Sequence, residues 1–459
     1  MGMRGTGRAS ARLASSILAL LASAPFALWS CAWAGSQESE PYLQVPMPPH
    51  FRVEATELDG PVFADARGHT LYIWPFKIMR VGNTGDPKGQ SHCTAVKTTE
   101  STGYMSPYPG GLELPELDTR PSCTQLWPPV LAPPDAKPIG KWTLITREGG
   151  AKQWAYDGSA VYTSVLDREP GDVLGGQRYD DPEGDSPAER RPIGPPAEVP
   201  PGFHVSNTTS GRLLQTERGF SIYASDADEP TKSHCDAACT QTWIPMAAPA
   251  SARPHGAWTI IERLPGERQW VFRGKPLYRY ALDSRTQSLA GSDEPGWHNV
   301  YTQHAPPPPP GFTVQDSTSG QVLADSHGMT IYWYTCGDDA LDQLSCDHPS
   351  DTQVYRFAMC GGDWQRCLRT FPYVIAPPNA ISHSRSWTVI DIDPKTGRRA
   401  SGAQPGTLHV WAYRDRPVYL FAGDQRPGDV NGDGYGEFRG ERQGYTAFWL
   451  RDDYFGRGG

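Results

Sequence analysis

The chain has 459 residues, and 48 Gly with 45 Pro make up about a fifth of it, against roughly 12% in an average protein, which excludes a helical bundle or coiled coil. Only 38% of the residues are hydrophobic, and with 15 Trp and 20 Tyr the apolar content sits in rings rather than in Leu/Ile runs, a composition that suits strands and turns. A formal charge of −9 leaves no basic surplus to displace counterions, so a nucleic-acid partner is excluded.

In chain order, Arg4, Arg8 and Arg12 precede a mostly apolar stretch from Leu13 to Leu28, and Ala32-Trp33-Ala34 places small residues at −3 and −1 of a cleavage site. Residues 1–34 therefore read as a secretory signal, and its removal takes away three Arg and no acid, moving the charge from −9 to −12. A rival reading makes Leu28-Trp29-Ser30-Cys31 a lipoprotein signal. Lipidation of Cys31 would then be the one route to a membrane, because no later apolar stretch approaches the ~18 residues of a span. Eight further cysteines, Cys93, Cys123, Cys235, Cys239, Cys336, Cys346, Cys360 and Cys367, form an even set that suits disulfides in an oxidising compartment.

After a linker at 35–47, three similar modules follow: 48–191, 200–304 and 309–459, separated by proline-rich linkers at 192–199 and 305–308. Pro48-Pro49-His50-Phe51, Pro200-Pro201-Gly202-Phe203 and Pro309-Pro310-Gly311-Phe312 open them. A hairpin signal comes next, with Gly68, Gly219 and Gly328 each four residues ahead of Tyr72, Tyr223 and Tyr332. A cysteine and an aromatic-proline step follow in Cys123-x3-Trp127-Pro128, Cys239-x3-Trp243-Ile244-Pro245 and Cys367-x3-Phe371-Pro372. Three further strands are predicted from Trp142, Trp258 and Trp387, through Gln153, Gln269 and Val410, to Tyr162, Tyr278 and Tyr419, with turns at Asp157-Gly158, Arg273-Gly274 and Arg414-Asp415. Trp127 to Trp243, Trp142 to Trp258, Gln153 to Gln269, Tyr162 to Tyr278 and Asp167 to Asp283 are all 116 apart, so the first two modules are copies. The third diverges through insertions between Tyr332 and Cys367 and between Ile392 and Trp411.

At these residues the chain resembles exported bacterial repeat proteins and predicted lipoproteins named for a Tyr-x4-Asp motif. Tyr162/Asp167, Tyr223/Asp228, Tyr278/Asp283 and Tyr419/Asp424 keep that spacing, whereas Tyr72 and Tyr332 have Lys77 and Gly337 at the fifth position. The resemblance implies an exported, disulfide-bearing β module of uncharacterised activity, located in the periplasm or outside the cell.

Tyr and the aromatic two residues on, as in Tyr72/Trp74 or Tyr278/Tyr280, share a strand face. The plain reading is a core Tyr followed by an Asp that caps a turn just past the strand end. A sharper one makes Asp167, Asp283 and Asp424 carboxylates of repeated sites, with exposed Trp rings as stacking platforms for sugars. Cys235 and Cys239 can close a tight loop, with Cys93 and Cys123 at the equivalent place; Cys367 aligns with Cys239, Cys346 with Cys235, and Cys336 is left for Cys360. A zinc site of His234, Cys235, Cys239 and His255 competes with that pairing. Asp429, Asn431 and Asp433, followed by Gly434, match the first half of a Ca2+ loop, with Glu437 at the ninth position and Gly440 at the twelfth. A structural turn is the default there.

No Gly-x-Ser-x-Gly, phosphate-cradling Gly-Lys-Ser/Thr or His-Glu-x-x-His motif occurs, which weakens an enzymatic reading. The expectation is an all-β protein of three tandem modules, each a hairpin plus a three-strand meander, as separate sandwich-like domains. Six half-units in a propeller-like ring are the alternative. The expected role is binding or scaffolding in the bacterial envelope, toward glycan, protein or a small ligand. The alternatives are a metal-binding or redox-associated protein and a carboxylate-dependent hydrolase.

Overall fold

The computed structural model describes residues 2, 39–79, 82–96, 121–176, 190–335, 347–402, 404–436 and 444–452. The signal residues up to 34 other than residue 2, with Cys31, and also Cys336, Cys346 and Glu437, lie outside them. The described chain is all-β, built from antiparallel sheets.

Each module opens with a hairpin: Arg52–Ala55 with Pro61–Ala64, Phe203–Thr208 with Gly211–Thr216, and Thr313–Ser317 with Gly320–Ala324. Gly219 and Gly328, at φ +79° and +80°, then reverse the chain at a left-handed position that a side chain would strain. The motif strand that follows leaves the hairpin and enters a second sheet. In the first module the order is Trp142–Thr146, Lys152–Tyr156, Ser159–Tyr162, Tyr72–Ile73, Arg191–Pro192. The third module repeats it as Trp387–Ile392, Leu408–Tyr413, Arg416–Tyr419, Tyr332–Thr335, Gly444–Ala447. The second follows the same path as two sheets, one of them holding Trp243–Pro245, Tyr278–Tyr280, Tyr223–Ser225 and Trp297–Asn299. The meander turns carry consecutive positive φ values at Asp157-Gly158, Arg273-Gly274 and Arg414-Asp415, the hand that matches strand twist.

This second sheet is buried on both faces, because alternate residues of the motif strand enter different cores. Tyr72 and Tyr162 pack with Trp127, whereas Ile73 and Val161 pack with Trp142 and Trp154. The third module divides Tyr332 and Tyr419 from Trp333 and Val418 in the same way. The Cys-x3-aromatic spacing reflects a helical turn: Trp127 N donates to Cys123 O and Phe371 N to Cys367 O, both at 2.7 Å. That puts the cysteine and the ring four residues apart on one side.

The described residues hold three disulfides: Cys93–Cys123, Cys235–Cys239 and Cys360–Cys367. The expected pairing of Cys367 with Cys346, and of Cys336 with Cys360, is therefore corrected. The turn at Gly361-Gly362, with φ values of +69° and +78°, folds the helix Trp364–Thr370 back beside Val354–Ala358 and brings the two Cα atoms to 5.3 Å.

The modules are not separate domains on linkers, since residues from Gln37 on form one compact unit. The tip of the first hairpin plugs into the third module. Glu57 accepts hydrogen bonds from Ser384 Oγ, Arg385 N, and Ser386 N and Oγ. Leu58 joins the third module's core, and Asp59 takes a forked bond from Arg414 at 2.9 and 3.2 Å. Gln303 Nε2 donates to Thr56 O, joining the second module to the first, and Thr209 Oγ1 donates to Trp449 O, joining it to the third. A four-residue link at 305–308 spans at most about 14 Å, so the hairpin tips are held within reach of their neighbours.

Candidate functional site

The motif tyrosines are cross-strand partners: Tyr72 with Tyr162, Tyr223 with Tyr278, Tyr332 with Tyr419. Each Asp, carried past its strand end, meets the tyrosine of the other strand, not its own. In the second module Tyr223 Oη donates to Asp283 Oδ2 at 3.0 Å and Tyr278 Oη to Asp228 Oδ2 at 2.6 Å. Both carboxylates are buried, and Asp228 Oδ1 also accepts His234 N at 2.6 Å.

The first module holds the same reciprocal pair. Tyr72 Oη donates to Asp167 Oδ2 at 2.9 Å, and Tyr162 Oη donates to Asp86 Oδ2 at 2.5 Å. The sequence reading stopped at Lys77 and missed Asp86, because the hairpin Lys77–Met79 and Gly82–Thr84 is inserted between Tyr72 and its Asp. A usable signal was the distance to the cysteine: Asp86 precedes Cys93 by seven residues, as Asp228 precedes Cys235. The correspondence extends to Ser91 and Ser233, whose hydroxyls bond the Tyr162 and Tyr278 hydroxyls at 2.7 and 2.6 Å.

In the third module Tyr332 Oη donates to Asp424 Oδ2 at 2.7 Å and Asn431 N to Asp424 Oδ1 at 3.0 Å. Tyr419 has a different neighbour. The fully buried Arg356 guanidinium lies 5.4 Å from the rings of Tyr419 and Tyr373 and donates to Tyr373 Oη at 2.8 Å. Its cation is held against ring faces.

Burial sets the electrostatics of these pairs. It pushes Asp167 up to about 8 and Asp283 up to about 6, against hydrogen bonds from backbone or hydroxyl donors that favour the ionised form. Asp86 and Asp424 move the same way for the same reason. The tyrosines rise as well, from burial and then from the neighbouring carboxylate. Each carboxyl is satisfied by a tyrosine hydroxyl from the facing strand, so the pair ties the two strands together. Asp167 and Asp283, named above as carboxylates of repeated sites, are buried and turned inward onto tyrosine.

The closing strand adds a planar group against the aromatic of the Cys-x3-aromatic turn. Arg190 lies between Trp74 and Trp127 at 4.1 and 4.4 Å. Trp297 stacks on Trp243 at 3.7 Å, and Tyr445 stacks on Phe371 at 3.5 Å. Sequence reading did not find these partners, because three different residue types fill one position.

At the calcium-like segment Asp429 Oδ2 accepts Gln425 N and Arg426 N. Asn431 Nδ2 donates to Gly423 O, and Asp433 Oδ1 accepts Ala447 N and Trp449 Nε1. Asp429 and Asn431 are engaged with the turn at 423–426 and Asp433 with Ala447 and Trp449, and among the described residues no group of three or more His, Cys, Asp and Glu is placed to hold a metal ion. The zinc set is likewise broken up, since Cys235 and Cys239 are bonded to each other and His234 Nε2 faces Glu229. Among the described residues no helix is long and apolar enough to cross a membrane.

No curated protein and no solved structure matches the chain. A family model described as a secreted repeat of unknown function matches residues 406–443, the stretch holding the strands Leu408–Tyr413 and Arg416–Tyr419 with Asp424 and Asp429. In that stretch the third module is similar to a secreted repeat of unknown function, which supports an exported protein.

Proposed function

We propose that this is an exported, disulfide-stabilised repeat protein of the bacterial cell envelope that acts by binding or scaffolding, not by turning over a substrate. The observation that carries the reading is the reciprocal Tyr–Asp pairing in the first two modules. The residues that repeat most regularly are engaged with each other inside the sheets, so the repeat is framework and recognition falls to the surface. The match to a secreted repeat and the three disulfides support the exported location. The periplasm or the cell surface is its expected place, with envelope glycan as its first expected partner and Ca2+ not required.

The test is expression of the full chain in a bacterial host, fractionation of the cells, and co-sedimentation of the purified mature protein with isolated envelope glycan. Recovery outside the cytoplasm with oxidised cysteines, and pelleting with the glycan without cleaving it, are expected. Cytoplasmic retention with reactive thiols, or glycan hydrolysis lost on Asp283→Asn, would overturn the proposal.

A further inference from the structure

Where the three modules meet, the chain encloses a half-open cavity of about 170 Å3. All three contribute to its wall: Leu58 from the first hairpin tip, Thr209 and Ser210 from the second, and Leu323, Trp387, Tyr413 and Phe448 among others from the third. Pro307 and Pro308 of the short linker are exposed and form its rim.

The wall is apolar in effect as well as in composition. Leu58, Leu323, Trp387, Tyr413 and Phe448 are each under 5% exposed. Several polar groups of the wall are engaged with the protein: Thr209 Oγ1 with Trp449 O, Ser210 O with Ala305 N, and Leu323 N with Phe448 O. No wall side chain carries a buried polar atom without a partner. Water that reaches the cavity through its open side meets mostly hydrocarbon and ring surface, and an apolar guest that displaces it takes that surface out of water.

The rings fix the shape of the guest. Trp387, Tyr413 and Phe448 lie 4.8, 4.9 and 5.4 Å apart pairwise, in tilted, edge-on and stacked contacts. A further ring joining such a cluster finds edges and faces at the 4.5–7 Å spacing that aromatic pairs prefer. We propose that this junction is a binding site for one small apolar aromatic molecule, a single six-membered ring bearing at most a short alkyl group. The proposal rests on the binding reading above and names a ligand class for it; the glycan test is done without this ligand, so the two fail separately.

The experiment uses the mature, disulfide-intact protein with benzene and toluene as probes and glucose as a polar control. Melting temperature is expected to rise by about 1–2 °C at a tenfold excess over Kd for the aromatics and to stay unchanged with glucose. Nuclear Overhauser contacts from the toluene methyl group to the rings of Trp387 and Phe448 are expected to locate it. Ala305→Leu at the half-buried rim and Leu323→Phe in the wall reduce the space, and each folded variant is expected to lose the shift. An unchanged melting temperature in the unsubstituted protein, contacts to other rings only, or a shift that survives in a folded variant overturns the proposal.

Discussion

Replacing Tyr223 by Phe removes one hydroxyl and leaves the ring. That hydroxyl faces Asp283 Oδ2 at 3.0 Å and Ser288 O at 2.9 Å, and accepts Gly291 N at 3.4 Å. Loss of a hydrogen bond to a charged acceptor costs about 1.5–3 kcal/mol, so the unfolding free energy of Tyr223→Phe from urea titration should fall by that amount at pH 7. The pH profile tests the mechanism more sharply. Burial raises Asp283 from the ordinary carboxylate value to about 6, so between about pH 4 and 6 the folded state keeps a proton that the unfolded state has lost. Stability contributed by this site is therefore full below pH 4 and is lost as pH rises through 6. A two-unit shift is at most about 3 kcal/mol, and solvent screening reduces it to roughly 1–2 kcal/mol. Tyr223→Phe removes a donor that favours the ionised form, so its loss of stability should continue above pH 6. Asp283→Asn should remove this part of the slope. Urea titrations at pH 4, 6 and 8 on the three proteins decide the matter. A Tyr223→Phe unfolding free energy within about 0.5 kcal/mol of the parent, the ordinary scatter of surface substitutions, or a slope indifferent to Asp283→Asn, would refute the reasoning.

Other sites give separate outcomes. Asp86→Ala should cost about 2–3 kcal/mol in urea unfolding, because Tyr162 Oη and His92 N both lose their acceptor; equal effects of Asp86→Ala and Lys77→Ala would show the pair to be unimportant. Asp59→Ala removes the forked carboxylate from the buried Arg414 guanidinium at the contact between first and third modules, with an expected cost of about 1.5–3 kcal/mol and a second unfolding transition as the modules uncouple. Asp433→Ala should lower stability by about 1–2 kcal/mol through Ala447 N and Trp449 Nε1; millimolar calcium should leave the parent's melting temperature unchanged, and a rise lost in the variant would contradict the turn assignment. Peptide mapping without reduction should recover Cys360 linked to Cys367, and recovery of either with another cysteine would count against the fold of the third module.

The strands and turns were legible because their causes are local. Positive φ at Gly219 and Gly328 and at the three meander turns follows from residue type within four residues. The 116-residue offset shared by the first two modules needed only counting. The motif tyrosines read as core because an aromatic pair two residues apart occupies one strand face. What the chain order conceals is which Asp serves which Tyr. The nearest Asp in sequence is carried away past the strand end, and the one that arrives comes from a strand 60 residues later for Tyr223 and 95 for Tyr72. The same separation hid Asp86 behind an inserted hairpin and Cys360 behind a helical turn.

By itself, then, the sequence determined an all-β repeat with its turns and its aromatic cores. Only the tertiary structure decided the reciprocal pairs, the stacked partners Arg190, Trp297 and Tyr445, and the docking of Glu57, Leu58 and Asp59 into the third module. Backbone propensity acts over a few neighbours. These contacts depend on which segments the sheets bring within about 3 Å, and loop-closure entropy rises so slowly with length that distance along the chain says little about which partner is chosen.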